Sequence, residues 1–340
     1  MTKRFVSVFA AAILILGIAV EVWTEEARPE KSEEEKVENS EKAESSDEKK
    51  PVLPKLTKEE IADLEGIVVG VSLLTRTHQF YRDLEAGLKA RAKVYKIELR
   101  IDSAEFDPNR QADQLDNYIV QGVDAILVCP CDSLSIGTSI EKINKTQIPV
   151  FTADVAAKSG KVICHIASDN VAGGRLAAKA MGEALGETGG DIVVIDHPAV
   201  MSVIDRMKGF EEEIKKYPNV RIVGRNPGWG KRDEAMQVME NFLQSVPNLA
   251  GVFGINDDTA LGALAAIQAA GKAGKIVVVG YDATPEAREK IDQGLIYADA
   301  IQYPEKIGTL TMDAIACYFA GKKIPKSLPV ECGLYGPKQP

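Results

Sequence analysis

Four short apolar runs in this chain each stop at a hydrogen-bonding side chain: "PVFTA" at Asp154, "IVVI" at Asp196, "VFGI" at Asn256 and "VVVGY" at Asp282. Carboxylates and amides bind hydroxyl-rich ligands, and two carboxylates at a suitable separation can also work as acid and base. In open parallel sheets, ligands bind just beyond the carboxyl ends of the strands. Acids at several strand ends therefore favour a shared cleft over a coincidence of helix caps. At Asn256-Asp257-Asp258 the two uses compete, because Asn and Asp also cap helices. The expectation is that Asn256 faces a ligand while Asp257 and Asp258 start the helix. Motifs for nucleotides and for hydrolysis are missing. "VAGGRLAA" (171–178) lacks the G-x-G-x-x-G spacing, and no P-loop, H-E-x-x-H or G-x-S-x-G occurs. His165 sits inside an apolar strand pattern and reads as structural. Nothing distinguishes His197, beside Pro198, from a loop histidine. The five cysteines (Cys129, Cys131, Cys164, Cys317 and Cys332) fit no zinc spacing. A disulfide among them is conceivable, but its pairing is not readable, and buried thiols are an equal alternative. No metal and no cofactor is expected.

The elements that must position these residues alternate from Gly66 onward. Strand-like runs at 67–74, 96–102, 123–130, 148–154 and 161–169 are interleaved with helical patterns at 80–94, 109–121 and 134–145. A second series has helices at 171–185, 202–217, 232–246, 259–270 and 285–293. Its strands run at 191–196, 220–227, 249–257, 275–282 and 296–302, and a helix at 305–320 with a short strand closes the chain. Val- and Ile-rich runs flanked by helices imply parallel strands covered on both faces. Two such series imply an α/β protein with two doubly wound parallel-sheet lobes.

The net charge of −9 argues against a nucleic-acid partner, which demands basic patches. At the N-terminus Lys3 and Arg4 precede an apolar run over 5–20 that ends at Glu21. That is the layout of a signal peptide, with Gly17-Ile18-Ala19 as a cleavage candidate. The run is shorter than the ~18 residues of a spanning helix, although Val22 and Trp23 extend it toward an uncleaved anchor. No Cys follows for lipid attachment. Residues 1–20 are thus a signal peptide or anchor, and the chain is exported to a periplasmic or other extracytoplasmic space. Residues 21–65 read as a disordered acidic tether, most densely charged over 25–50, where too little apolar surface exists to offset ordering entropy.

In order along the chain, "HIASDNVAGG" (165–174), "INDDTALGALAAIQAAGK" (255–272), "VVVGYDATPE" (277–286) and "AIQYPEKIG" (300–308) resemble the type I periplasmic sugar-binding proteins of ABC importers. The ribose-binding members, whose core is shared with LacI-type repressors, are the nearest in pattern. The resemblance spans nearly all of 66–330. It implies two lobes joined by a hinge of three crossings, a first lobe of 66–168 plus 303–331 and a second of 169–302 plus 332–340. It also implies a pocket. Phe80 and Tyr81 would sandwich a sugar from the first lobe, and Trp229 would stack from the second. Asp154, Arg206, Asn256, Asp282 and Gln302 would hydrogen-bond it. Without the resemblance, Arg206 would default to a surface pair with Asp205 or Glu211. Two pocket positions depart from the ribose pattern: Val155 replaces an Arg, and His78 replaces an Asn, with Gln79 in place of the following Pro. A Val donates no hydrogen bond, so D-ribose itself is not the expected ligand.

The resemblance therefore implies a non-enzymatic, monomeric solute-binding protein. It would capture a carbohydrate-like small molecule by hinge closure and deliver it to an ABC permease. A sensing module presenting the closed form to a membrane receptor is the alternative. A repressor would need a DNA-binding helix-turn-helix where this chain has an export signal. A glycosidase using Asp154 and Asp282 is the weakest reading.

Overall fold

The computed structural model describes residues 51–336. The expected signal peptide or anchor (1–20), residues 21–50 of the expected tether and the last residues, 337–340, lie outside the described residues. Two six-stranded sheets form the frame. The first uses β1 (Val68–Leu73), β2 (Glu98–Ser103), β3 (Ala125–Val128), β4 (Val150–Ala153), β5 (Cys164–Ser168) and β11 (Ser327–Val330) in the order β11-β5-β4-β3-β1-β2. The second uses β6 (Gly190–Asp196), β7 (Val220–Pro227), β8 (Leu249–Gly254), β9 (Val277–Asp282), β10 (Ala298–Ile301) and β12 (Gly333–Tyr335) in the order β12-β10-β9-β8-β6-β7. All pairings are parallel except β12 on β10. The two orders are the same topology twice, with the switch point between β1 and β3 in one sheet and between β6 and β8 in the other. In such sheets the crevice beyond the switch point is where ligands bind. The chain passes between the sheets three times: after Ser168, after Ile301, and between Val330 and Gly333.

Helices cover the sheets because their apolar residues recur at helical spacing. In α2 (Gln79–Tyr95) the buried residues include Phe80, Leu84, Leu88, Ala92 and Tyr95, one stripe that packs on the first sheet and on α10 (Pro304–Phe319). The remaining first-lobe helices are α3 (Pro108–Gln121) and α4 (Ile136–Asn144). On the second sheet lie α5 (Asn170–Leu185), α6 (Met201–Ile214), α7 (Arg232–Ser245), α8 (Asp257–Ala269) and α9 (Pro285–Asp292). The interiors of the central strands are buried on both faces, as their near-continuous apolar runs require, whereas the edge strands β2 and β7 stay partly exposed. All five cysteines are free thiols, four of them buried. Among the described residues no helix is long and apolar enough to cross a membrane.

One boundary needs correction. The tether was expected to reach residue 65, but residues 51–65 pack on the first lobe. Leu64 is buried, Leu53, Leu56 and Ile61 rest on the core, and the Cys317 thiol donates to the Pro54 carbonyl. A short helix, α1 (Lys58–Ala62), starts at a capping box in which Thr57 and Glu60 satisfy each other's backbone N–H. Lys322 reaches Glu60 at 2.5 Å. Four apolar residues spaced through a charged stretch supply the burial that 25–50 lacks.

Candidate functional site

The carboxyl ends of both sheets face one cavity. From the first lobe it is lined by Leu74, His78, Phe80, Tyr81, Phe106, Asp154 and Val155; from the second by residues of the β6–α6 loop, α6, and the ends of β8 and β9. The space left between the walls is about 50 Å³, room for a few waters at ~10–15 Å³ each. The lobes are drawn together over it. Ser133, in the loop after β3, receives an N–H from Met201 on its hydroxyl at 2.8 Å and donates its own N–H to the Ala199 carbonyl at 3.0 Å.

Two carboxylates approach the cavity from opposite sides. Asp154 follows β4 with φ +63°, and Asp282 ends β9 with φ +119°. Backbone in these regions is strained for residues other than Gly, and such strain gathers at functional sites. The Tyr81 hydroxyl donates to Asp154 Oδ2 at 2.6 Å. Burial pushes the Asp154 carboxyl up to about 6, against the pull of Tyr81 and Arg206. Asp282 is pushed well above the usual carboxylate range, by burial first and by the Asp257 carboxylate second.

Arg206 lies between them, and the surface pairing with Asp205 or Glu211 that isolated sequence logic favours does not form. Its guanidinium is buried over the Tyr281 ring, 3.4 Å from the centroid. Nη2 donates to Asn170 Oδ1 at 2.9 Å and Nη1 to the Ile255 carbonyl, while Nε is buried with no partner. An orphaned N–H costs about 1–3 kcal/mol unless something accepts from it. A ligand oxygen in the cavity would.

Asn256 serves both purposes that compete at the end of β8. It, not Asp257 or Asp258, is the N-cap of α8: its Oδ1 accepts from Thr259 N at 2.9 Å and the Thr259 hydroxyl accepts from Asn256 N at 3.0 Å. With Oδ1 so engaged, its amide Nδ2 donates to the Gly230 carbonyl at 3.2 Å, and both residues line the cavity. Asp257 is buried behind the site, taking the Thr284 N–H at 2.6 Å.

Two expected contacts fall elsewhere. Gln302 does not line this cavity; its Nε2 donates to Asp282 Oδ1 at 2.6 Å, and with Phe80 and Asp282 it lines the adjoining part of the cleft. Trp229 also stays outside the lining. Gly228 N and Trp229 N both donate to the Asp196 carbonyl, and Trp229 takes φ +54°, a tight turn that leaves the indole 42% exposed. The ring meets His197 edge-on, with centroids 5.9 Å apart. His197 lines the cavity in its stead, its pKa pushed down by burial to about 4. His165 accepts or donates only to Thr152 Oγ1, at 2.8 Å, well inside β5. Sequence reasoning missed Phe106 and Ser202, and it left His197 undecided between the cleft and an ordinary loop. Phe106 carried a signal, being one of few aromatics and lying just after a strand; Ser202 carried none.

Comparison with known proteins agrees with this arrangement. The periplasmic binding protein domain family matches residues 69–323. The chain is 34% identical over 261 residues to the ribose import binding protein of Bacillus subtilis (strain 168), covering 76% of this chain and 84% of that one. It is 32% identical over 236 residues to the xylitol-binding protein of Mycolicibacterium smegmatis, covering 69% and 67%. In structure it is similar to the Caulobacter myo-inositol binding protein bound to myo-inositol, with a TM-score of 0.75, 28% identity, and 80% and 93% of the two chains covered. These relatives are binding proteins, not enzymes, and proteins of this kind are exported. A two-lobed chain with three crossings, a cavity between the strand ends and a family match across its length belongs to the type I periplasmic binding proteins.

Proposed function

We propose that the protein binds one neutral sugar or polyol between its lobes and that the closed form is read by an ABC permease. The observation that carries this reading is the buried, partnerless Nε of Arg206, on a side chain that lines one cavity with the buried Asp154 of the first lobe and the half-buried Asp282 of the second. A guanidinium N–H needs an oxygen that accepts, and the acids need groups that donate. Hydroxyls do both, and hydrogen bonds to charged groups are about twice as strong as neutral ones. Phe80, Phe106 and Tyr81 supply apolar faces for the C–H side of a ring. Only closure brings both walls to one ligand, so binding and closure are one equilibrium.

Ribose, xylitol and myo-inositol, which the relatives bind, define the ligand class. Val155 narrows it. Its side chain is buried in the lining, and a ribose hydroxyl facing its methyls would lose a partner worth about 1–3 kcal/mol. A polyol, cyclitol or hexose fits better than D-ribose. The protein acts as an exported monomer without nucleic acid, and an uncleaved N-terminal run followed by an acidic linker would retain it at the membrane.

A thermal-shift series with D-ribose, xylitol, D-allose and myo-inositol tests the reading, because a ligand that binds only the folded chain raises its melting temperature by mass action. At least one of the other three should give a larger rise than D-ribose. No rise with any of them, or the largest with D-ribose, would contradict it.

A further inference from the structure

His78 was expected at the ligand, and it lines the cavity, but its strongest contact is across the cleft. It precedes α2 on the first lobe and makes no side-chain bond to its own helix. Its Nε2 lies 3.2 Å from Oδ2 of Asp258, in the first turn of α8 on the second lobe. Asp258 is held from its other side by Arg232, at 3.1 Å from Nε and 3.0 Å from Nη2, and Arg232 is itself paired with Glu286 of α9 at 2.8 Å. A second imidazole approaches the same place. A Cβ built on Gly230 would meet His197 Nδ1 at 3.3 Å and His78 Cε1 at 3.7 Å, so histidines from opposite lobes flank one turn.

We propose that His78 and Asp258 are positioning residues that latch the two lobes together, and that this latch makes ligand affinity fall as the medium turns acidic. The proposal rests on the ligand reading above. Closure buries His78 beside Asp258 of α8, Glu105 of the β2–α3 loop, Arg82 of its own helix, the Gly230 carbonyl and His197. His197 in turn faces Asp196, Lys231 and Asp132. Burial lowers the pKa of His78, and Asp258 opposes without reversing it. In the closed molecule the ring is therefore neutral, with Nε2 within hydrogen-bond distance of the carboxylate. In an open molecule it meets water and titrates near its ordinary ~6.5. Below that value closure must expel a proton, so affinity is full above pH 6.5 and falls below it, by up to about tenfold at one unit below.

The test is isothermal titration of the full chain at pH 7.5 and 5.5 with whichever of D-ribose, xylitol, D-allose and myo-inositol binds most tightly. Wild type should bind more weakly at pH 5.5. His78→Gln keeps an amide N–H for Asp258 but nothing that titrates, and it should remove up to about tenfold of that loss. The slope that remains belongs to Asp154, whose carboxyl also titrates near 6, and to His197. Asp258→Asn should bind more weakly at pH 7.5 and lose at least as much on acidification. A His78→Gln chain with the full wild-type pH factor, or an Asp258→Asn chain that binds as wild type at both pH values, would overturn the latch. If none of the four ligands binds at pH 7.5, the ligand reading fails. Small-angle scattering of the ligand-free chain then decides the latch alone: Asp258→Asn should expand the molecule at pH 7.5, and an unchanged radius overturns it.

Discussion

Asn256 does two jobs with the two ends of one amide, and the two can be separated. Its oxygen caps α8, and its nitrogen donates to the Gly230 carbonyl, both residues lining the cavity. Asn256→Asp keeps the capping oxygen and removes the donor. It should keep the cap, since Asn and Asp rank equally there, but weaken sugar binding by about tenfold for one lost hydrogen bond of roughly 1–1.5 kcal/mol, and the bond to the Gly230 carbonyl goes with the donor. Asn256→Ala should weaken binding and also cost about 1 kcal/mol of unfolding free energy. Denaturant titration and calorimetric titration of both variants check the pair; wild-type affinity in Asn256→Asp would contradict the division of labour. This residue also marks what was readable in advance. Asp154 and Asp282 were legible because each sits where a strand ends, and Phe80 through the family resemblance. Trp229 was not, because its fate depends on a turn whose two N–H groups bond Asp196, a contact 33 positions back in the chain. Gln302 was legible as a site residue but not as a support, since only the fold shows that Asp282 stands between it and the cavity.

At the scale of elements, Arg206 reaches the cavity because α6 lies unusually close to α5. A Cβ on Gly174 would fall 1.9 Å from the Arg206 carbonyl, and one on Gly209 would fall 1.9 Å from the Val171 carbonyl. Both contacts are to backbone, so neither can yield without moving a helix. Gly174→Ala should therefore destabilise the chain by about 1–3 kcal/mol, the usual cost of overpacking. It should also weaken binding several-fold by displacing Arg206. Thermal unfolding and ligand titration of that variant check the claim; full affinity in a destabilised chain would show that α6 carries its arginine independently of this contact. Helix positions followed from apolar periodicity to within a few residues. The start of α8 moved from Thr259 to Asp257 because the cap was Asn256. The packing of residues 51–65 was hidden because four apolar side chains in a charged stretch look the same whether or not a lobe is there to receive them.

At the scale of the whole molecule, the repeated sheet order places two switch points opposite each other, and three crossings let the lobes move as units. Ser133 with Met201, and His78 with Asp258, make contacts across the cleft in this arrangement. A ligand that bridges Asp154 and Asp282 adds its own bonds to theirs. The most direct test of this account is isothermal titration of wild type and Arg206→Ala at pH 7.5 with the sugar or polyol that stabilises the chain most. The account predicts about one ligand per chain for wild type. It predicts a loss of at least tenfold for Arg206→Ala, the equivalent of one hydrogen bond from a charged donor at about 1.5–3 kcal/mol. Wild-type affinity in Arg206→Ala, or no saturable binding to wild type, would contradict it.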